Sequence, residues 1–135
     1  MDVKLTTKSQ EAVSAAAMNA STAGNPQIEP AHILKALMDQ RESVAVALLK
    51  AAGADPDAVS TRASAAIRQL PATSGDAVAA PQFSQAGLNV IKAAQAEAEQ
   101  LGDDYVSTEH LLLGVAPTPD RPAGPSARRR PARRP

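Results

Sequence analysis

The 135-residue chain contains no cysteine and no tryptophan, and it has one phenylalanine, Phe83, and one tyrosine, Tyr105. Without cysteine, the chain can form no disulfide, no thiolate zinc site and no cysteine nucleophile. Its apolar content comes mainly from Ala, Val, Leu and Ile. A core made of such small side chains requires helices that pack closely together.

Long hydrophobic runs are also missing. The chain has no stretch of about 18 apolar residues, the length that would suggest a membrane-spanning helix. Its start, MDVKLTTKSQ, lacks the basic and then apolar layout of a secretory signal. We therefore predict a cytoplasmic protein with no membrane partner.

The motifs of nucleotide and metal chemistry are absent from the sequence. There is no GxxxxGK[ST] phosphate loop and no HExxH pair, and two histidines without any cysteine leave few ligands for a metal. No nucleophile, base and orienting group can be assembled into a catalytic set. The sequence therefore predicts a protein that is not an enzyme and has no cofactor and no bound metal.

The net charge of zero conceals an uneven distribution. Residues 1–116 contain eight Lys/Arg and thirteen Asp/Glu, whereas residues 117–135 contain six Arg, one Asp and six of the eleven prolines. Because proline at this density removes the N–H groups that a helix needs, we predict a disordered tail over 117–135. An Arg cluster can bind nucleic acid, so a small nucleic-acid- or ribosome-associated protein is the alternative function. That alternative is disfavoured because neither aromatic residues nor Lys are interleaved with the arginines.

One segment of the chain occurs twice. QIEPAHILKAL at 27–37 is echoed by YVSTEHLLLGV at 105–115, and each copy contains one of the two histidines. A constant offset of 78 residues aligns the two copies without gaps over 5–38, and glycines, small residues and branched aliphatics then coincide, which indicates a duplication. The aligned pairs include Leu5 with Phe83, Thr6 with Ser84, Val13 with Ile91, Ala20 with Ala98, Gly24 with Gly102, Ile28 with Val106, His32 with His110, and Leu34 with Leu112.

Apolar residues at helical spacing predict helices in both copies, and no stretch of alternating apolar and polar residues rivals them, so the sequence predicts an all-α fold. We expect helices at about 8–21, from Pro30, at 43–52, from near Pro56, at 84–100 and from 107 or 108 to 115, with Thr6 or Thr7 capping the first and Thr7 forming a capping box with Gln10. The predicted organisation is a first repeat over 1–70, a linker over 71–82, a partial second repeat over 83–116 and the tail. Because the second repeat is short, its inner apolar residues are expected to be only partly covered, namely Leu88, Ile91, Leu111, Leu112 and Val115.

The two histidines have two possible roles. Each lies in the first turn of a predicted helix, where its ring would pack against a neighbouring helix and bond to a backbone group. The other possibility is acid–base chemistry shared by Glu109 and His110, but adjacent residues of a helix point in different directions. Packing is therefore the favoured interpretation. Asp103 and Asp104 are interpreted either as a solvated turn or as part of a cation site.

Five segments carry a resemblance to a known family. In order they are LTTKSQEAVSAA, EPAHILKALM, LLKAAGADPDAV, IRQLPATSG and GDDYVSTEHLLLGVA. Together they resemble the double Clp repeat, the N-terminal domain of the Clp-family AAA+ unfoldases, and PAHIL and TEHLL are the most specific parts. Within that family LTTKSQ and LPATSG are most similar to the ClpB-type disaggregases. The resemblance covers residues 1–116.

The resemblance implies a fold and a function. It implies an all-α fold of two pseudo-symmetric four-helix bundles, of which the second lacks its third and fourth helices here. It also implies a non-catalytic module, present in this chain without its ATPase modules, that grips unfolded or aggregated client polypeptides for an ATPase ring. Ring subunits or adaptor proteins are further partners that the resemblance implies.

The resemblance also implies a client groove between the repeats. Thr6, Asp103 and Glu109 would border this groove, and Ile91 and Tyr105 would provide apolar contacts. His110 stands where an aliphatic residue can occur. Carboxylates would accept unpaired N–H groups of an unfolded client, and a shallow apolar floor would take its side chains. The alternative for Thr6 is a plain helix cap, and for Tyr105 a partly buried ring at the interface of the repeats.

Overall fold

A computed structural model describes residues 3–72 and 81–115 of the chain, and over these residues the protein is all-α. The predicted tail, and residues 73–80 of the predicted linker, lie outside the described residues. No helix in the described ranges is both long and apolar enough to span a membrane. The elements are α1 (Thr7–Ala23), β1 (Gln27–Ile28), α2 (Pro30–Asp39), α3 (Val44–Ala51), α4 (Pro56–Arg68), β2 (Gln82–Phe83), α5 (Gln85–Gln100) and α6 (Thr108–Val115).

The first helix of each repeat begins with the same cap. The hydroxyl of Thr6 accepts the backbone N–H of Ser9 at 3.2 Å, and the hydroxyl of Ser84 accepts that of Gly87 at 2.9 Å. Such a bond satisfies one of the N–H groups left free at a helix start. Of the two predicted caps, Thr6 and Thr7, Thr6 is the one that caps α1. The capping box predicted for Thr7 is wrong, because Thr7 is already the first residue of the helix.

The first helix of each repeat also ends in the same way. Gly24 and Gly102 have φ values of 77° and 75°, a left-handed conformation that glycine adopts without strain. Asn25 and Asp103, the residues that follow, each donate their backbone N–H to the carbonyl oxygen five residues earlier, at 2.9 and 2.8 Å. The duplication inferred from the sequence is therefore present in the backbone conformation.

Two short parallel strand pairings connect the two repeats. Ile28 in β1 lies opposite Phe83 in β2, and Leu5 forms an isolated bridge with Val106. The offset of 78 residues converts one pairing into the other, so each repeat pairs the segment before its first helix with the segment before the second helix of the other repeat. Periodicity could not predict these strands, because a two-residue strand shows no alternation.

Within the described residues, one hydrophobic core runs through both repeats. Ala12, Ala16 and Ala20 line one face of α1 and are fully buried, which lets α1 approach α2 closely. Helix α6 packs on α5 of its own repeat and on α1, α2 and α3 of the first repeat. The expectation of partly covered inner faces in the second repeat is therefore wrong for Ile91, Leu111, Leu112 and Val115, which are buried; Leu88 alone is half-buried.

Two glycines of the second repeat lie where one backbone segment closely approaches another. A Cβ added to Gly114 would lie 2.6 Å from the carbonyl oxygen of Val90, so α6 lies directly on α5. A Cβ added to Gly87 would collide with the carbonyl oxygen of Ile28. Glycine at position 87 therefore permits the contact between the start of α5 and the strand that leads into α2.

Candidate functional site

A hydrogen bond between Asp103 and His110 fixes the turn that leads into α6. The ring of His110 is 2% exposed, and its Nε2 lies 3.0 Å from Oδ2 of Asp103. Its Nδ1 accepts the backbone N–H of Ser107 at 2.9 Å, so the ring proton lies on Nε2 and is donated to the carboxylate. The buried ring thus connects the start of α6 to the turn after α5.

The first repeat contains the same arrangement around His32. The Nδ1 of this fully buried ring accepts the backbone N–H of Glu29 at 2.8 Å, and its Nε2 lies 2.9 Å from Oδ1 of Asn25. Burial lowers the pKa of His32, and the nearby Glu29 carboxylate opposes this shift only in part. The prediction that both histidines are packing residues bonded to a backbone group is confirmed.

The Ser107 hydroxyl also lies near His110, at 3.0 Å from Nδ1, which gives a serine–histidine–aspartate sequence of contacts. These contacts belong to the start of α6, and they do not make the Ser107 hydroxyl a nucleophile. The Nδ1 lone pair is already occupied by the backbone N–H of Ser107 and cannot take the hydroxyl proton. Within residues 3–72 and 81–115, no three His, Cys, Asp or Glu side chains gather in a way that would hold a metal ion.

Thr6 meets the start of α6 through the backbone. Its N–H donates to the carbonyl oxygen of Val106 at 3.0 Å, and the N–H of Val106 donates to the carbonyl oxygen of Lys4 at 2.8 Å. The starts of α1 and α6 therefore lie side by side. The Thr6 side chain is half-buried and serves as the cap of α1.

The remaining residues of the predicted groove differ in exposure. Tyr105 is 54% exposed, so its ring is not packed into the interface between the repeats, and the side chain of Asp103 is 49% exposed. Ile91 and His110 are 7% and 2% exposed and belong to the interior, so they offer almost no surface for contact with a client. We call the accessible set the Asp103 edge: Thr6, Asp103, Tyr105 and the half-buried Glu109.

The first repeat has a counterpart of this edge, which sequence reasoning missed. Of the Asp103 edge, Asp103 and Tyr105 correspond at the offset of 78 residues to Asn25 and Gln27, and we call these two residues together with Pro26 and Glu29 the Asn25 edge. The signal for this edge in the sequence was the alignment of Asn25 with Asp103.

The chain covers the Asn25 edge with its own segment. The side-chain amide of Asn25 donates its Nδ2 proton to the carbonyl oxygen of Pro71 at 2.9 Å. Leu70 and Pro71, just after α4, line a cavity of about 80 Å³ together with the Asn25 edge. The carboxylate of Glu29 also accepts the hydroxyl of Ser84 at 2.8 Å. Among the described residues, the Asp103 edge has no such covering segment.

This duplicated helical fold defines the class of protein. The family model described as the Clp repeat (R) N-terminal domain matches residues 4–126, and the chain belongs to that family. The predicted resemblance is thereby confirmed.

Individual relatives are similar in sequence or in fold. The chain is 51% identical over 113 residues to the chaperone protein ClpB of Propionibacterium freudenreichii, an alignment that covers 84% of this chain and 13% of that protein. Its fold is similar to the Hsp104 N-terminal domain from Candida albicans, with a TM-score of 0.70, 21% identity, and coverage of 83% of this chain and 73% of that one. A ClpV N-domain solved in complex with a VipB peptide has a TM-score of 0.68 at 23% identity, with coverage of 82% and 66%.

Proposed function

We propose that this chain is a non-catalytic binding domain of a ClpB-like protein disaggregase, and that the Asp103 edge binds segments of unfolded or aggregated polypeptides in the cytoplasm. AAA+ ring subunits or adaptor proteins are the other partners that we propose. The similarity to ClpB supports the proposal, although the chain spans only 13% of the length of that relative. The ClpV N-domain described above was solved with a bound peptide, which supports peptide binding by the same fold.

The observation that carries the proposal is the covered Asn25 edge. A short non-helical segment of the chain, residues 70–71, lies against the edge in the first repeat that corresponds to the Asp103 edge in the second. The Asn25 edge therefore holds a polypeptide segment, through the side-chain amide of Asn25. We propose that the corresponding position in the second repeat, with Asp103 in place of Asn25, binds a segment from another protein.

The chemistry of the Asp103 edge suits an unfolded client. Asp103 is exposed and Glu109 is half-buried, so the Asp103 edge is negative, and the ring of Tyr105 offers an exposed apolar surface. Carboxylates accept N–H groups that an unfolded chain leaves unpaired, and an aromatic ring contacts apolar side chains. We expect preferred clients to be apolar segments with nearby basic residues. Affinity should be micromolar or weaker, because the contacts are few and the client loses chain entropy.

The test is a double substitution, Asp103→Ala with Glu109→Ala, measured against a permanently unfolded, casein-like client. We expect binding to weaken by about 1–3 kcal/mol, the range for losing hydrogen bonds to charged groups. The matched control is Asp39→Ala with Glu42→Ala, which removes two exposed carboxylates at and beyond the end of α2. Circular dichroism should show unchanged helix content in both variants.

Measurements at higher salt distinguish client binding at the Asp103 edge from client binding to the arginine-rich tail. Attraction of an acidic client to the tail is largely screened in about 0.3 M salt. Under those conditions the double substitution at the Asp103 edge should still weaken binding, and the control pair should not. If both folded variants bind the client as the wild type does, the assignment of the edge is wrong.

A further inference from the structure

Both the oxygen and the nitrogen of the Asn25 side-chain amide form hydrogen bonds within the protein. Its Oδ1 lies 2.9 Å from Nε2 of His32 and accepts the ring proton, and its Nδ2 donates to the carbonyl oxygen of Pro71 at 2.9 Å. The residue is 2% exposed. The Asn25 edge therefore holds its segment with a donor that is aimed at a backbone carbonyl.

Asp103 occupies the position in the second repeat that Asn25 occupies in the first, and it has a carboxylate oxygen where Asn25 has its amide nitrogen. Its Oδ2 accepts the ring proton of His110 at 3.0 Å, as Oδ1 of Asn25 accepts that of His32. The correspondence of the two repeats puts the other oxygen of Asp103 in the place of the amide nitrogen that donates to the carbonyl oxygen of Pro71. An ionised carboxylate has no proton to donate, so a carbonyl placed there would meet a negative oxygen. A group with an N–H would be accepted instead.

We infer, on the basis of the function proposed above, that Asp103 determines which segments the edge accepts: those that present an N–H donor where the chain's own segment presents a carbonyl. The donor is a backbone amide or the side chain of Lys or Arg in the client. The first repeat binds its own segment through a carbonyl and the second repeat binds a foreign segment through an N–H. Because of this difference, residues 70–71 are a poor ligand for the Asp103 edge and leave it free for clients.

The test uses three peptides and three proteins. The peptides are residues 66–75 of this chain, AIRQLPATSG, and the same peptide with Pro71→Ala, which restores a backbone N–H, or with Pro71→Lys, which adds a charged donor as well. The proteins are the full wild-type chain, Asp103→Asn and the control Asp104→Asn, which removes an equal charge at the next position. Asn at position 103 can keep the bond to the histidine ring, as Asn25 does in the first repeat.

Binding is measured by calorimetry or by fluorescence of labelled peptides in about 0.3 M salt, so that distant charges are screened. The wild type should bind the Pro71→Lys peptide about tenfold more tightly than the original, with the Pro71→Ala peptide between them. Asp103→Asn should remove this order or invert it, because the amide again offers a donor to the carbonyl. Asp104→Asn should keep the order.

The outcomes distinguish the two proposals. If the wild type binds the peptides but Asp103→Asn shows the same order of affinities, the inference about Asp103 is wrong while the proposed function stands. If the wild type binds none of the peptides and no casein-like client, both are wrong. If Asp104→Asn removes the order as completely as Asp103→Asn does, general negative charge and not the position of Asp103 selects the segment, and the inference is again wrong.

Discussion

Asn25 and Asp103 stand at the same point of the two repeats, and each accepts a hydrogen bond from the Nε2 of a buried histidine, at 2.9 and 3.0 Å. Both residues directly follow the left-handed glycine that ends the first helix of the repeat. The hydrogen bond to the buried histidine and the left-handed glycine before it are therefore common to both repeats. The one atom that differs, an amide nitrogen in Asn25 and a carboxylate oxygen in Asp103, faces a covering segment in one repeat and an uncovered edge in the other.

The first prediction concerns the Asn25→Asp substitution. It would place a carboxylate oxygen 2.9 Å from the carbonyl oxygen of Pro71, where a donor now stands. We expect the free energy of unfolding to fall by about 1–3 kcal/mol, because a buried acceptor is left facing another acceptor. Denaturant unfolding measures the change. Asp103→Asn is the reciprocal control and should cost less, since its second amide end faces solvent. Equal losses for the two variants would contradict this account of the two edges.

The second prediction concerns pH and His32. Its pKa is lowered below the ordinary value of 6.5, so the folded protein binds a proton at this ring less readily than the unfolded chain does. Above pH 6.5 both states hold a neutral ring and the full stability is present. As the pH falls below that value the unfolded chain is protonated first, and stability is lost until the pH passes the lowered pKa of the folded state.

The measurement compares wild type with His32→Gln in unfolding experiments between about pH 7.5 and pH 5, the range in which an ordinary histidine titrates. The variant should melt at a lower temperature at every pH, because the two hydrogen bonds of the buried ring are lost, and its stability should depend less on pH. Peptide binding per folded molecule should remain intact. The other titratable groups are common to both proteins, so the difference isolates His32. Identical pH dependence in the two proteins would contradict the role given to His32.

The third prediction concerns two glycines with different constraints. A Cβ at Gly87 would collide with the carbonyl oxygen of Ile28, whereas a Cβ at Gly102 would meet nothing within 4 Å. Gly87→Ala should therefore destabilise the protein by about 3 kcal/mol or more, because backbone must move to admit the methyl group. Gly102→Ala should cost only about 1–2 kcal/mol, the strain of a left-handed conformation. Chemical denaturation of both variants compares them, and a larger loss for Gly102→Ala would show that the start of α5 is less tightly packed on β1 than described.

The sequence predicted much of this fold because local signals and packing agree. Apolar spacing together with Pro30 and Pro56 placed the helices, and the repeat offset placed Gly24 and Gly102 at equivalent helix ends. The burial of the second repeat was missed, since it depends on contacts of α6 with α2 and α3 of the first repeat, which no local pattern contains. The strand pairings were missed for the same reason.

The candidate site was less predictable from the sequence than the fold. The resemblance to a family named the site residues, but it could not separate the exposed ring of Tyr105 from the buried side chains of Ile91 and His110. Exposure depends on how a helix is rotated against its neighbours, and a small set of apolar residues at helical spacing fits several rotations. The partners of the histidine rings, by contrast, could have been found from the alignment of the repeats, which already pairs Asn25 with Asp103.

The central claim is that unfolded polypeptide binds at the Asp103 edge and not at the covered Asn25 edge. The most direct measurement is a titration of the isotope-labelled chain with a casein-like client, followed by the backbone amide signals in two-dimensional NMR spectra. The account predicts shifts at Thr6 and over residues 103–109, with residues 25–29 little changed. Shifts centred on the cavity between Arg41, Lys50 and Asp57, or an equal response at both edges, would contradict it.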